Sequence, residues 1–250
     1  MFAIVFVYLR RELLIFFKMD MAKILRWVSR KDLIPLIWKH SHIRLAQFID
    51  GCKDRKVCAQ SLSACEHVDI EGVTGYQAAS YWELDRLFRK ETFTANDHII
   101  DVGCGKGRLL AYMLRRNFPG AISGVEISPH LAAIVRQWTQ RVGNPKVHVI
   151  EGDALEMNYN PYTLLYIFRP FTTAFFQAFI QRVEATVTHP IKFFYLSDQG
   201  DGEYLLDRSG WQMIRWGCQQ KHYGLYLELW PQRYSVWSYM PIAKYSNMDD

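Results

Sequence analysis

Short apolar runs alternate with stretches of helical spacing through the middle of the chain. The first clear pair is the apolar run His98 to Val102, followed by helical spacing from Arg108 to Arg116. Further apolar runs lie at residues 121–127, 146–150, 163–168 and 191–197, and further helical patterns at 81–89, 131–142 and 175–187. This alternation predicts an α/β, doubly wound fold, in which helices cover both faces of a mostly parallel sheet. Ligands of such sheets bind outside the carboxyl ends of the strands.

The last part of the chain has a different pattern. Two aromatic-rich runs, Tyr223 to Trp230 and Tyr234 to Met240, follow each other around Pro231 without a helical stretch between them. Strands joined in this way predict a C-terminal antiparallel hairpin. With the five preceding runs, the hairpin brings the expected sheet to seven strands.

Residues 1–70 lack strand periodicity and are predicted to form a helical N-terminal extension, whereas 71–250 form the main domain. The first 31 residues hold seven basic and two acidic side chains, which account for the whole formal net charge of +5. A nucleic-acid-binding body is therefore disfavoured, because neutralising phosphates needs an excess of Lys and Arg on that body.

Residues 1–31 predict a basic amphipathic helix. Their apolar runs are interrupted by Arg10 and Arg11, so neither a membrane-spanning helix nor a secretory signal is expected. Three interpretations stay open for this helix. It packs on the domain, it results from an early start codon, or it contacts a membrane surface or a protein partner.

Five cysteines occur without the spacing of a disulfide framework: Cys52, Cys58, Cys65, Cys104 and Cys218. An odd number of this kind indicates a reducing compartment, and we expect a cytoplasmic protein. The first three stand six and seven residues apart, wider than the two to four residues usual between paired zinc ligands. No metal site is expected there, and small buried thiols are the simpler interpretation.

The most informative segment runs from Asp101 to Gly107, with the sequence Asp-Val-Gly-Cys-Gly-Lys-Gly, at the junction of the first strand and its helix. Glycines there allow a sharp turn and a close approach to a ligand. Two further acids follow the next strands, Glu126 at the end of the second and Asp153 after the third. A carboxylate at the end of the second strand can accept hydrogen bonds from both hydroxyls of a ribose.

This constellation resembles the class I S-adenosylmethionine-dependent methyltransferases, over about residues 71–241. The resemblance implies a Rossmann-like methyltransferase fold, S-adenosyl-L-methionine as the cofactor, and methyl transfer by direct displacement to an unidentified small-molecule or protein acceptor. The cofactor-binding residues that it implies are Tyr76, Asp101, Gly103, Cys104, Gly105, Lys106, Gly107, Glu126, Ile127, Asp153, Ala154 and Phe168. For Lys106, contact with the cofactor carboxylate and projection into water stay equally open.

Two other functions are weighed against the methyltransferase. Nicotinamide-binding proteins use Gly-x-Gly-x-x-Gly, one residue longer than the bend here. A phosphate-binding P-loop is excluded, because no Gly-Lys-Ser or Gly-Lys-Thr occurs. A noncatalytic member of the same fold, which binds a cofactor or a partner, is the remaining alternative.

The acceptor side is predicted from Phe168-Arg169-Pro170-Phe171, directly after the fourth strand. Amino-methylating members of the superfamily often carry Asn, Asp or Ser where Arg169 stands, so amino methylation of nucleobases or glutamine is disfavoured unless the Phe168 or Arg169 carbonyl accepts the hydrogen bonds of the target nitrogen. Arg169 can instead bind an acidic acceptor through two parallel hydrogen bonds. Tyr76 and Tyr81 precede the first strand, where related enzymes close a flap. The residues predicted to act in catalysis are Arg169, Pro170, Phe171 and Tyr81.

Overall fold

One sheet of seven strands organises the part of the chain that the computed structural model describes, residues 47–67, 70, 75–198, 200–219 and 232–241. The strands are β1 (His98–Val102), β2 (Ala121–Glu126), β3 (Val147–Glu151), β4 (Leu164–Phe168), β5 (Ile191–Leu196), β6 (Trp211–Gln219) and β7 (Gln232–Tyr239). Their order across the sheet is β3-β2-β1-β4-β5-β7-β6. The first five strands are parallel, and β7 pairs antiparallel with both β5 and β6. The predicted fold class is thereby confirmed.

Helices connect the parallel strands and lie on both faces of the sheet. They are α1 (47–58), α2 (Tyr81–Phe88), α3 (Arg108–Arg115), α4 (Pro129–Val142) and α5 (Thr173–Thr186), with a 3₁₀ turn at Asp201–Leu205. On one face Leu84, Leu109 and Trp138 belong to a single buried cluster. On the other face Phe176 and Phe193 belong to a second one. Because both faces are covered, the central strands are apolar throughout, which explains why the sequence shows runs rather than alternation.

The hairpin differs from the prediction in its first strand. Residues 211–219 form β6, whereas the predicted strand Tyr223 to Trp230 lies outside the described residues. The register of β6 against β7 shifts between Met213 and Arg215. A bulge of this kind interrupts the period of two on which a strand prediction depends, so the pattern did not indicate β6.

Part of the predicted N-terminal extension packs on the sheet domain. Cys58 at the end of α1 and Leu62 just after it are buried in the same cluster as α2 and α3. Residues 1–46 lie outside the described part of the chain, so the role of residues 1–31 stays a prediction. In the described residues, no helix is long and apolar enough to cross a membrane.

A buried ion pair fastens α1 to the domain. The Arg108 guanidinium, on the first residue of α3, donates to both carboxylate oxygens of Asp54, over 2.7 and 3.2 Å. The side chain of Arg108 is 5 % exposed and that of Asp54 is fully buried. The same carboxylate also accepts the Leu62 amide over 2.8 Å. Removing one partner of such a pair leaves the other charge buried without compensation.

We expect Asp54→Ala to lower the free energy of unfolding by about 3–5 kcal/mol, because Arg108 loses the carboxylate that accepts two of its hydrogen bonds and keeps, among the acids of the described residues, only Asp50, at 3.8 Å. The matched control is Glu151→Ala, since Glu151 pairs with Arg136 at the same 2.7 Å but with both side chains about 40 % exposed. That variant should lose less than about 1 kcal/mol. Urea denaturation monitored by tryptophan fluorescence measures both, and equal losses would contradict the role given to the buried pair.

Candidate functional site

A cleft opens at the carboxyl ends of β1, β2 and β4, where ligands of parallel sheets are expected. It encloses about 70 Å³ and is walled on one side by the chain before α2. Its lining includes the following residues predicted to form the site: Tyr76, Asp101, Gly103, Cys104, Gly105, Glu126, Phe168, Pro170 and Phe171. The structure therefore brings together most of the residues that the resemblance assigned.

The bend after β1 depends on backbone conformations that favour glycine. Gly103, Gly105 and Gly107 have φ values of +74°, +55° and +82°, in the left-handed region. A Cβ on Gly103 would lie 2.6 Å from Pro170 Cβ, and one on Gly105 would lie 2.0 Å from the Tyr76 ring. The absence of a side chain on these two glycines therefore leaves room for Pro170, just after β4, and for the Tyr76 ring.

Gly107 has a different environment. A Cβ there would meet Val135 and Trp138 of α4 at 2.9 Å, and Gly107 is not part of the cleft lining. This glycine allows α4 to pack closely against the start of α3. Its predicted contact with the cofactor is not supported by this placement.

Two carboxyl groups are buried at the floor of the cleft. Asp101 is 4 % exposed, and no hydrogen-bond donor to its carboxyl group is found among the described residues. Burial, and then the nearby Glu126 charge, raise the pKa of Asp101 well above its ordinary value. Neither acid forms an ion pair within the described part of the chain. A buried, uncompensated negative charge of this kind favours a cationic ligand.

Glu126 supports the bend through both of its oxygens. One accepts the Gly105 amide over 2.7 Å, and the other accepts the Ser128 amide over 2.9 Å. Burial raises the pKa of Glu126, and these backbone hydrogen bonds act in the opposite direction. A carboxylate offers about four lone-pair sites, so two accepted bonds leave capacity for a ligand hydroxyl.

We call residues 61–67 and 75–80 the flap, and residues 75–79 of its second half line the cleft. The two halves pair at Glu66 and Tyr76, which exchange backbone hydrogen bonds of 3.1 and 2.9 Å. The Tyr76 hydroxyl donates to the Leu62 carbonyl over 2.6 Å, which holds the buried ring against Gly105. The predicted position of Tyr76 at the cleft is therefore observed, as part of the flap.

Lys106 takes neither of the two positions expected from the sequence. Its ammonium group lies 2.5 Å from a Glu66 carboxylate oxygen and donates to the Ala64 carbonyl over 3.0 Å. The hydrogen bond from Lys106 lowers the pKa of Glu66. The lysine thus fastens the flap to the glycine bend rather than reaching a ligand or water. The flap supplies an acid and a carbonyl that the sequence did not place beside Lys106.

Arg108 holds the flap from the other side. Besides Asp54, its guanidinium donates to the Ala79 carbonyl over 3.1 Å and to the Ser63 hydroxyl over 2.7 Å. Sequence analysis did not single out Arg108, because a basic residue at the start of a helix usually faces solvent. Its hydrogen-bond partners lie 29 to 54 residues away along the chain, and Asp50, which forms a further ion pair with it, lies farther still, so no local pattern indicates them.

Several predicted residues are not part of the cleft lining. Asp153 accepts the Leu155 amide over 2.8 Å, and the carbonyl of buried Ala154 accepts the Tyr159 hydroxyl. Ile127 also lies outside the lining, between Glu126 and Ser128. The roles predicted for Ile127, Asp153 and Ala154 at an adenosine therefore stay predictions.

Tyr81 and Arg169 also stand apart from the cleft lining, unlike Pro170 and Phe171. Tyr81 is buried beside α1 and α3, with the Arg108 guanidinium 5.6 Å from its ring centre. Its predicted catalytic contact is not supported by this position. Arg169 has a φ of +40°, unusual for a residue with a side chain, and its charge acts on the Tyr195 hydroxyl of β5.

The cleft lining also contains residues that the sequence analysis did not predict, among them Arg108, Leu109 and Tyr166. Strand pairing places Tyr166 beside Asp101, and pairing is not visible in a linear sequence. Within the described ranges, no group of three or more His, Cys, Asp or Glu side chains is arranged to hold a metal ion.

Comparison with known proteins adds one family match. Residues 99–187 match the model of a family described as a methyltransferase domain, which confirms the predicted resemblance over that segment. A search of curated proteins finds no significant match.

Similar solved structures include an RNA methyltransferase from Salinibacter ruber in complex with S-adenosyl-L-homocysteine. It is 17% identical with a TM-score of 0.49, and the alignment covers 69% of this chain and 99% of that one. Another is magnesium protoporphyrin IX methyltransferase from Synechocystis PCC 6803 with bound SAM. It is 15% identical with a TM-score of 0.44, and the alignment covers 56% of this chain and 69% of that one. With both scores below 0.5, the fold assignment rests on the observed strand order.

Because Lys106 and Glu66 form an ion pair, we expect the stability of the flap to depend on pH. Because the folded state lowers the pKa of Glu66, the contact is present above the ordinary pKa of 4.5 and is lost as pH falls through the lowered value. We expect Glu66→Gln to reduce amide-exchange protection of residues 61–67 about two- to fivefold at pH 7. The control, Glu203→Gln, removes an exposed partner of Arg233 and should leave the flap unchanged. Equal protection in Glu66→Gln and the unaltered protein would contradict this role.

Proposed function

We propose that this chain, whose residues 99–187 match a methyltransferase domain, transfers a methyl group from S-adenosylmethionine to a small molecule or a protein side chain. The observation that carries the proposal is the pair of buried acids, Asp101 and Glu126, which have no cationic partner in the described structure. The cofactor bears sulfonium and ammonium charges against one carboxylate and is therefore a net cation. The same acids would repel the pyrophosphate of a nicotinamide cofactor.

The residues at the cleft suit the parts of this cofactor. Asp101 would hold the ammonium group, since its carboxyl group lacks a donor within the described residues. Glu126 would accept the ribose hydroxyls with the lone pairs that Gly105 and Ser128 leave free. Phe168 lines the same cleft and would contact the cofactor, as the resemblance implies. Asp153 and Ala154 are proposed for the adenine on the resemblance alone.

The flap must shift for the cofactor to enter. The cleft encloses about 70 Å³, whereas pockets for ligands of cofactor size are about 300–1,000 Å³. The Tyr76 ring occupies the space directly over Gly105. The flap is fastened to the glycine bend and α3 by two side chains, Lys106 and Arg108, so its displacement involves few interactions.

The bound cofactor supplies an electrophilic methyl group on sulfur. The protein's own part is to orient the reactants and exclude water, which can contribute about 7–11 kcal/mol through effective concentration. Pro170 and Phe171, at the end of β4, would form the wall against which the acceptor lies. Arg169 precedes them in the chain but does not line the cleft, so its contact with an acidic acceptor is proposed from the sequence alone. The flap, with Tyr76, would cover the reacting atoms.

The charge distribution bears on the class of acceptor. Outside its first 31 residues the chain is electrically neutral, which disfavours a nucleic-acid acceptor and favours a metabolite or a protein. We further propose a cytoplasmic location, supported by the odd number of cysteines. Incubation with methyl-labelled cofactor and fractionated cell extract would identify the acceptor. Label in a metabolite or polypeptide supports the proposal, label in RNA contradicts the acceptor class, and no label supports the noncatalytic alternative.

Ligand binding tests the cofactor directly. S-adenosylhomocysteine at 100 times its Kd should stabilise the protein by about 2.7 kcal/mol, or roughly 5–11 °C in Tm. NAD at the same concentration should give no shift, because the buried acids repel its pyrophosphate. Differential scanning fluorimetry measures both, and a shift with NAD alone would reverse the proposed function.

The raised pKa of Asp101 determines how we expect ligand binding to depend on pH. The ligand's ammonium group binds the carboxylate form, so affinity should rise as pH increases through the raised pKa of Asp101, with release of a proton on binding. Asp101→Asn should weaken S-adenosylhomocysteine binding by about 1.5–3 kcal/mol at neutral pH and flatten this dependence. Calorimetry in buffers of different ionisation enthalpy measures affinity and proton release together.

The control for that experiment is Asp97→Asn, at the opposite end of β1 from the cleft. Asp97 accepts hydrogen bonds from Thr94 and Thr163 and is not part of the lining. This variant should keep both the affinity and the pH dependence. The same pH dependence in Asp101→Asn as in the unaltered protein would show that another group titrates.

A further inference from the structure

Tyr166 combines burial, an unpartnered hydroxyl and a position at the cleft. It lies on β4 directly beside Asp101 of β1 in the parallel register, so the two side chains extend from the same face of the sheet. Its side chain is 2 % exposed, and its hydroxyl has no hydrogen-bond partner among the described residues. Both Tyr166 and Asp101 line the cleft. Burial and then the Asp101 charge raise the pKa of this phenol well above its ordinary value, so the hydroxyl is neutral.

A buried hydroxyl without a partner is unfavourable, which makes a partner from the cleft the natural explanation. The neighbouring Asp101 carboxyl group also lacks a donor in the described chain. An ammonium group carries three donors, enough to bond a carboxylate and a hydroxyl oxygen at once. Hydrogen bonds of this type are strengthened by the ligand's charge.

We propose that the Tyr166 hydroxyl binds the ammonium group at the amino-acid end of the cofactor, together with Asp101. This inference rests on the proposed function and adds a residue that determines how that end of the cofactor is held. Two acceptors at one ammonium group fix its direction, and with it the direction of the chain that leads to the sulfonium. Tyr166 would thereby also favour cofactors that carry an amino group.

Other unpartnered groups show why the position matters. Tyr81 and Trp237 also have buried polar atoms without a hydrogen-bond partner in the described residues. Neither of them lines the cleft. Of these three residues, Tyr166 alone lines the cleft. It also lies beside Asp101, whose carboxyl group lacks a donor in the described residues. The missing partner alone would not carry the proposal.

The test compares two ligands that differ at the amino-acid end. We expect Tyr166→Phe to bind S-adenosylhomocysteine about 10- to 100-fold more weakly, because one charge-assisted hydrogen bond is lost. Binding of 5′-methylthioadenosine, which has no amino-acid end, should stay within about twofold. The Tm of the ligand-free variant should not fall, since no hydrogen bond within the described protein is removed. Calorimetry gives both affinities.

Tyr112→Phe is the matched control. Tyr112 is a buried tyrosine on the same face of the sheet, its hydroxyl accepts from Arg116, and it does not line the cleft. This variant should bind both ligands as the unaltered protein does.

The outcomes separate the two proposals. If the unaltered protein does not bind S-adenosylhomocysteine, the proposed function and this inference both fail. If it binds and Tyr166→Phe binds equally well, the inference is overturned while the function stands. Equal weakening for both ligands also overturns the inference, because the hydroxyl would then act on the adenosine half. Selective weakening for S-adenosylhomocysteine supports it.

Discussion

The rest of the site is adapted to one constraint. Two carboxyl groups, Asp101 and Glu126, are buried at the carboxyl ends of β1 and β2 without a counterion in the described residues. Asp101 has no donor within the described chain, and Glu126 has only backbone amides. Burial raises the pKa of both groups, so ionising them in the folded protein has a cost that a cationic group of a ligand would relieve. The left-handed glycines follow from the same constraint, because only a tight bend brings the Gly105 amide to Glu126. The polarity of the cleft is thus set before any ligand enters.

The flap comes from a part of the chain that the matched segment, 99–187, does not include. Arg108 and Lys106 belong to the bend and its helix, and they hold this preceding segment through Asp54, Ser63, Ala79 and Glu66. Two cations next to the glycine bend therefore serve the protein itself and leave the buried acids unpaired. This division of charges explains how a site rich in basic residues can still accept a cation. It also makes α1 a support of the site rather than an appendage.

The sequence predicted the features that depend on local pattern, and missed those that depend on pairing across the chain. Apolar runs located β1 to β5, and the glycine spacing located the bend, because each is determined by neighbours in sequence. Strand β6 was missed because its bulge breaks the period of two, and Tyr166 because its neighbour Asp101 is defined only by strand order. The partners of Lys106 and Arg108 were missed for a related reason. The sequence does not distinguish a lysine or arginine that contacts water from one that contacts a ligand or the flap.

The space beside Gly105 is relevant both to the flap and to the cleft. Its missing Cβ leaves room that the Tyr76 ring fills in this structure, and the same room lies beside the carboxyl groups that attract a cation. We expect the ring and the proposed cofactor to compete for this space, so that any interaction that stabilises the flap, such as the Lys106–Glu66 contact, would oppose cofactor entry. Such competition is a population shift between two states, so apparent affinity depends on flap stability as well as on direct contacts. A change in α1, at Asp54, would then alter cofactor affinity through Arg108, which pairs with Asp54 and lines the cleft.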